Sequence, residues 1–443
     1  MRHALCAITC CLVLIGNYCF PQQSISSDEV DGLHPSMINR AGSLPIRNYS
    51  YTEYHAGQTN LAVIQDKRGI MYFGNEFCVL EYDGVSWRSI PVTNESSIRS
   101  FSMDRQGVIY VGAQGEFGTL EPDHIGKLHY RSLLSFVNEK DRDFADVWSS
   151  FATNKGIYFQ SSNKIFRWKN QRIKIWDAET AFHVMFNVNN DIYVRQWNLG
   201  LMKMVGDTLV LGPGGEQFAD IRIYAMLLLK GITKLRDKII ILTRGHGLFT
   251  IPVKHVGHLH ARPWQTMAND FLLNTTIYNG IFLNNNSLSI GTLDKGAAVI
   301  DSKGFLTHIL NKYSGLQDES IFGQYFDSKN NLWFTLDNGI SKVEINSPLT
   351  FFGNKDGLEG TVESVVRHDG ILYVATASGL YYSESKNSST TFQPVTGIET
   401  ECWNLLSILP SEQSEESPHV KHLLLYKEIP RSPLPLYPLP HSE

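Results

Sequence analysis

The first candidates for chemistry fall at one position of a recurring hairpin: Ala62, Ser100, Trp148, His183, Asn279, Gly323, Glu363 and Trp403. A column mixing Trp, His, Asn and Glu is less uniformly apolar than a core position. Aromatics beside hydrogen-bonding groups suit saccharides, whose ring faces stack and whose hydroxyls need partners. The plainer alternative is that these side chains fill or rim a central channel. A second candidate is Tyr193-Val194-Arg195-Gln196-Trp197-Asn198, where Arg195 and Gln196 stand in place of the Gly or Thr of other copies. An arginine beside Trp197 could hold an anion, or be a paired arginine packed in a corner between repeats. Trp148, His183, Arg195, Trp197, Asn279, Glu363 and Trp403 are therefore the candidate ligand-binding residues.

Catalytic and metal chemistry find less support. The histidines of Lys254-His255-Val256-Gly257-His258-Leu259-His260 are spaced to reach one metal, but no Cys or second ligand group is near in sequence. They read as a polar loop, and neither a metal site nor a cofactor is expected. The Asp-x-x-Gly turns at 66–69 and 104–107 are superficially similar to the Asp-boxes of sialidases, yet each Asp is placed to bond its own turn amides. Sialidase chemistry would also need an arginine triad, a Tyr nucleophile and an acid, and that set does not assemble. Asp318, Glu319, Glu359 and Glu363 have no spacing that fixes a mutual distance, so no acid–base pair is assigned. Gly212-Pro213-Gly214-Gly215 ends a strand and opens no helix, unlike a phosphate loop.

What must position the candidates is a unit repeated about nine times. Val63-Ile64-Gln65-Asp66-Lys67-Arg68-Gly69-Ile70-Met71-Tyr72-Phe73-Gly74 returns as Phe101-Ser102-Met103-Asp104-Arg105-Gln106-Gly107-Val108-Ile109-Tyr110-Val111-Gly112, and again from Tyr325 and Val365. An apolar run, a tight Asp/Asn/Gly turn and an aromatic-rich run make a β-hairpin. A Gly-containing turn and a third strand follow. Copies begin near Asn60, Ile98, Asp146, Phe182, Arg222, Thr276, Ile321, Val362 and Cys402. Their spacing of roughly 35–50 residues is that of four-stranded propeller blades. The fifth copy is degenerate.

The predicted fold is an all-β propeller, seven-bladed, over residues 46–353. Residues 47–54 alternate like a strand that closes the ring from outside. Further propeller-type repeats, incomplete, occupy 354–426, and a Pro-rich tail, unable to donate ladder hydrogen bonds, takes 427–443. Because sequence character changes within the ninth hairpin, we read the chain as truncated or broken in reading frame, with a natural disordered tail as the plainer alternative.

Net charge is -5, with 42% hydrophobic and 11% aromatic residues, which supports a large core and shows no basic stripe for nucleic acid. Arg2 and His3 precede an apolar run at 4–16 that is too short to span a bilayer. Residues 1–24 thus read as a signal peptide and 25–45 as a linker, predicting a periplasmic or secreted protein with no membrane span in the mature chain. Four of six cysteines lie in that leader; Cys78 and Cys402 remain, expected as buried strand residues rather than a staple.

The unit "apolar run, Asp-x-x-Gly, Leu/Ile-Trp/Tyr-Val/Phe-Gly/Thr, Gly-Leu/Ile-x-x-Tyr/Val" resembles the two-component regulator propeller repeat. Linkers such as Tyr313-Ser314-Gly315-Leu316 and Asp356-Gly357-Leu358 are similar to that family's lead into each blade. The resemblance covers about residues 46–426 and is weakest in the fifth repeat. It implies the extracytoplasmic sensor region of a bacterial signalling protein, apparently cut off before any output domain. The expected function is ligand sensing rather than catalysis, with an oligosaccharide or other small ligand, or a protein partner or second copy, as occupant. A propeller glycoside hydrolase or lyase, and a protein-interaction scaffold, stay open as alternatives.

Overall fold

The computed structural model describes residues 11–13, 42–231, 237–253, 260–284, 286–368, 370–383, 391–408 and 422–426. It divides into two compact units, Leu44–Leu349 and a second that includes Thr350–Glu443. The leader lies almost wholly outside the described residues, as do residues 254–259 and the Pro-rich tail.

Within Leu44–Leu349 the chain makes seven four-stranded antiparallel sheets. The first six are each built from consecutive strands. The innermost strands, in chain order, are Asn60–Gln65, Ile98–Met103, Ser149–Thr153, Phe182–Val188, Ile223–Leu229, Ile277–Phe282 and Ile321–Phe326. Each adjoins the next, and the seventh adjoins the first, so the inner strands form a closed cycle. This is a β-propeller.

Local sequence explains the hairpins. Asp66, Asp104, Asp301 and Asp327 each turn one carboxylate oxygen onto two amides of their own turn. Asp327 Oδ1 accepts from Lys329 N at 2.9 Å and Asn331 N at 2.8 Å. The turn needs a left-handed residue, supplied by Gly69 (φ 90°) and Gly107 (φ 98°) in two copies and by Asn330 (φ 66°) in the last. The continuous apolar runs of the second strands are buried on both faces. In the first sheet Tyr72 and Val79 pack with Ile98, Ile109 and Val111 of the second, while Phe73 and Leu80 pack with Tyr49, Trp333 and Ile340 of the seventh. A single sheet could not bury both faces; stacking between neighbours does. The outermost strands alternate, as Leu128–Ser132 does between half-buried and exposed positions.

The seventh sheet is assembled from both ends of the unit. Ile321–Phe326, Leu332–Leu336 and Ile340–Val343 come from its C-terminal end, and Ile46–Tyr49 from its N-terminal end pairs as the outer strand in register Ile46↔Val343 to Tyr49↔Ile340. The predicted outer closing strand is thus found, although residues 51–54 form a short helix instead of continuing it.

In the other unit, Val362–His368, Ile371–Thr376, Gly379–Ser383 and the short Gln393–Pro394 make one further sheet. Asn404–Ile408 pairs with His422–Tyr426, as the ninth copy predicted. Cys78 and Cys402 are both buried. Cys402, however, lies outside any strand, its N–H bonding Thr376 O at 3.0 Å.

Candidate functional site

Six of the seven inner strands carry one residue more than the strand they pair with, always at the same place. The register steps from Asn60 to Ala62, Ile98 to Ser100, Phe182 to Met185, Ile223 to Ala225, Ile277 to Asn279 and Ile321 to Gly323. An extra residue of this kind is a β-bulge, which re-aims a side chain out of the ladder. The re-aimed residues are Leu61, Arg99, His183, Tyr224, Tyr278 and Phe322; in the third sheet Trp148 directly precedes its inner strand. All seven line one cavity of about 690 Å³.

This corrects the sequence alignment. Trp148 and His183 were placed at the right position. Ala62, Ser100, Asn279 and Gly323 stand one residue too late, and the structurally equivalent residues are Leu61, Arg99, Tyr278 and Phe322. Tyr224, from the degenerate fifth repeat, was missed altogether. The signal was present as a fully buried Ile, a variable residue and then a small or polar one: Ile98-Arg99-Ser100, Ile223-Tyr224-Ala225, Ile277-Tyr278-Asn279, Ile321-Phe322-Gly323.

The lining is an arc of touching rings, edge-on at three of its four contacts and tilted by 37° between Tyr224 and Tyr278. Trp197 meets His183 at 5.5 Å between centroids, His183 meets Tyr224 at 5.1 Å and 89°, Tyr224 meets Tyr278 at 5.5 Å, and Tyr278 meets Phe322 at 5.7 Å and 82°. Trp148 extends the wall beyond this arc, with the Arg99 guanidinium 5.1 Å from its centroid and paired to Asp146 at 2.7 Å. Such edge contacts hold flat faces in fixed positions while leaving polar ring tips for hydrogen bonding.

Arg195 has a different setting. Several other sheets carry Gly at the equivalent point of the second strand, where a Cβ would meet Ile98 of the next inner strand at Gly74, and Ser100 and Val147 at Gly112. Arg195 instead fills the gap between the fourth and fifth sheets and is fully buried. Its Nε donates to Phe218 O at 3.1 Å and Nη2 to Ala219 O, and its guanidinium lies 3.8 Å from the Trp197 centroid. Nη1 is buried with no hydrogen-bond partner. Two more arginines approach the same rings: Arg222 at 5.3 Å from Trp197 and Arg244 at 4.6 Å from Tyr224. Arg222 and Arg244 are neighbours, Arg244 N bonding Arg222 O at 3.0 Å. Among the described residues none of the three forms an ion pair, and Asp220 is the carboxylate whose charge acts on Arg195.

His183 sits inside this field. Burial first, then repulsion by Arg195, Arg222 and Arg244, lowers its pKa to about 4, with only the Ile223 backbone acting the other way. It is neutral near pH 7, and its Nδ1 is buried without a partner. Burial, and then the charge of Arg222, lowers the Arg195 pKa as well.

The remaining candidates are not gathered here. Asn279 lines the cavity, but its amide is engaged in the wall: Nδ2 donates to Ile321 O at 3.0 Å, and Oδ1 accepts from Gln324 Nε2. Glu363 and Trp403 belong to the other compact unit, where both are exposed. Glu363 occupies the same bulge position, between Val362 and Ser364. Of the histidine stretch, residues 254–259 lie outside the described residues, and no group of three metal-ligating side chains occurs among those described. No described helix is long and apolar enough to cross a membrane.

No family model matches the chain, and no curated protein matches it. Solved structures do. The extracellular domain assigned to a hybrid two-component system, BT3049 of B. thetaiotaomicron, superposes with a TM-score of 0.59 at 16% identity, over 82% of this chain and 50% of that one. The extracellular domain assigned to a one-component system, BT4673 of the same organism, gives 0.52 at 18% identity, over 83% and 51%. This chain therefore spans about half the length of these two neighbours. A catalytically inactive virginiamycin B lyase from Staphylococcus aureus with quinupristin gives 0.50 at 11% identity, over 68% and 98%. At these identities the likeness is one of fold, the β-propeller.

Proposed function

We propose that this chain is an exported ligand-binding β-propeller, the sensor part of a bacterial signal-transduction protein of the two-component regulator propeller type, and that residues 44–349 form a complete seven-bladed ring. The observation that carries the reading is one cavity to which six inner strands each contribute a re-aimed side chain and the third sheet contributes Trp148, just before its inner strand. Its volume of about 690 Å³ lies in the range of small-molecule sites, and its lining is aromatic with a few polar groups, as such sites are. The repeat sequence, the leader-like N-terminus and the likeness in fold to extracellular domains of signalling proteins support the placement outside the cytoplasm.

The ligand class we favour is a short oligosaccharide. Tyr224, Tyr278, Trp197 and Trp148 offer ring faces and edges, and neutral His183 can donate to or accept from a hydroxyl. Binding rather than turnover is the proposed role. Altered packing after capture would be the signal passed to an output carried elsewhere. Isothermal titration of the full chain against neutral and acidic oligosaccharides tests the reading. A binder is expected whose affinity falls about 10-fold or more in Tyr278→Ala, the loss typical of a stacked aromatic anchor. Absence of heat with every member of the panel would overturn it.

A further inference from the structure

The three arginines around Trp197, His183 and Tyr224 are unusual in one respect: like charges are gathered against rings that line the cavity, without lining it themselves, and no carboxylate is in ion-pair range among the described residues. A buried guanidinium without a counter-ion and with an orphaned N–H is costly to the fold. Arg195 is such a group, fully buried with Nη1 unpartnered, and Arg244 Nε is a second buried orphan donor. Asp220, the carboxylate whose charge acts on Arg195, is exposed and forms no ion pair with it. A corner built only for packing would be expected to bring its own acid, as Arg99 brings Asp146 at 2.7 Å elsewhere on the same cavity.

We infer that this side of the cavity is an oxyanion subsite, and that the ligand is an acidic saccharide whose carboxylate or sulfate ester sits beside His183 between Trp197 and Tyr224. The inference rests on the saccharide-binding reading above and adds the charge of the ligand to it. The parts divide by mobility. Arg195, tied to the Phe218 and Ala219 carbonyls, supplies fixed charge from behind the Trp197 ring. Arg222 is exposed and Arg244 half-buried, so these two can turn their planar donors onto an incoming oxyanion. His183, held neutral, adds no competing charge and can donate one N–H. Once an anion offsets the arginines, the imidazole is easier to protonate, so binding should draw a proton onto His183 at mildly acidic pH.

Titration of the full chain with two matched pairs tests this: galacturonate trimer against its methyl ester, and galactose 6-sulfate against galactose. At least one acid should bind about 10-fold or more tightly than its neutral twin, and the arm that does so tells carboxylate from sulfate. Arg222→Gln and Arg244→Gln should each remove most of that advantage, the acid losing far more affinity than its neutral twin. The imidazole resonances of His183 should shift to a higher pKa in the bound state. Equal binding within both pairs, or acid affinities unchanged in both variants, would overturn the oxyanion subsite. If neutral oligosaccharides then still bind, the saccharide reading survives alone; if nothing binds, both fall. Circular dichroism of the Arg222→Gln variant guards against misfolding, which an exposed side chain should not cause.

Discussion

His183 is the residue where physical chemistry speaks most directly. Its charged form is opposed by burial and by three guanidiniums, so the folded protein holds the ring neutral down to a pKa of about 4. In the unfolded chain it titrates near 6.5. Above that value both states are neutral and the residue contributes nothing to pH dependence. Between about 6.5 and 4 the unfolded state takes up the proton first, so stability falls as pH falls, and the loss is complete below 4. The gap corresponds to an upper bound of about 3 kcal/mol. Chemical denaturation from pH 7.5 to 4 should show this slope, and His183→Gln should flatten it; an imidazole titrating near 6.5 in the folded protein would refute the assignment. The sequence made His183 and Arg195 visible by different routes, one by column and one by being out of type for its repeat. Arg222 and Arg244 had no such mark, because they cap the ends of strands in the repeat whose pattern is most degraded.

At the scale of the element, the hairpin was legible and the bulge was not. Turn chemistry is written in residue types: Asp, then Gly or Asn two or three residues on. The apolar runs on either side set the strands. A bulge inserts a residue without any turn signal and shifts the alternation by one, so a column aligned on the turn drifts by the time it reaches the cavity end of the strand. That is why Asn279 was chosen over Tyr278 and Ser100 over Arg99. The turn aspartates themselves allow a graded test. Asp301 caps Lys303 N and Phe305 N, both at 2.9 Å, from a half-buried position. Asp327 is buried, caps two amides and also accepts from Trp333 Nε1 at 2.8 Å and Asn331 Nδ2 at 2.9 Å. Asp301→Ala should therefore cost about 1 kcal/mol, and Asp327→Ala about 2–4 kcal/mol, because the latter also orphans a buried indole N–H. Urea denaturation of the two variants checks the order; equal losses would show that the side-chain bonds of Asp327 add nothing.

At the scale of the molecule, the site exists only if the cycle of inner strands stays closed. Closure depends on Ile46–Tyr49, the one strand supplied from far away in sequence. Its energetic centre is Tyr49, 1% exposed, 5.7 Å from Trp333 in a stacked pair and edge-on to Tyr82 and Trp87 at 5.4 and 5.5 Å. Asn48 adds hydrogen bonds from Nδ2 to Gly315 O at 3.0 Å and from Ser341 Oγ to its Oδ1 at 2.6 Å. None of these residues lines the cavity. Tyr49→Ala should nonetheless cost about 3–5 kcal/mol, the range for truncating a buried aromatic. Removing residues 1–50 should go further, leaving Ile340–Val343 as an unpaired edge and the seventh sheet free to part from the first. Ligand binding would then be lost although every lining side chain is present. Removing residues 350–443 should spare it, because that cut leaves all seven sheets of Leu44–Leu349 intact. Thermal unfolding and titration of the two truncations decide the matter: binding that survives loss of the N-terminal strand, or vanishes with the C-terminal segment, would mean that the closed ring is not what holds the site.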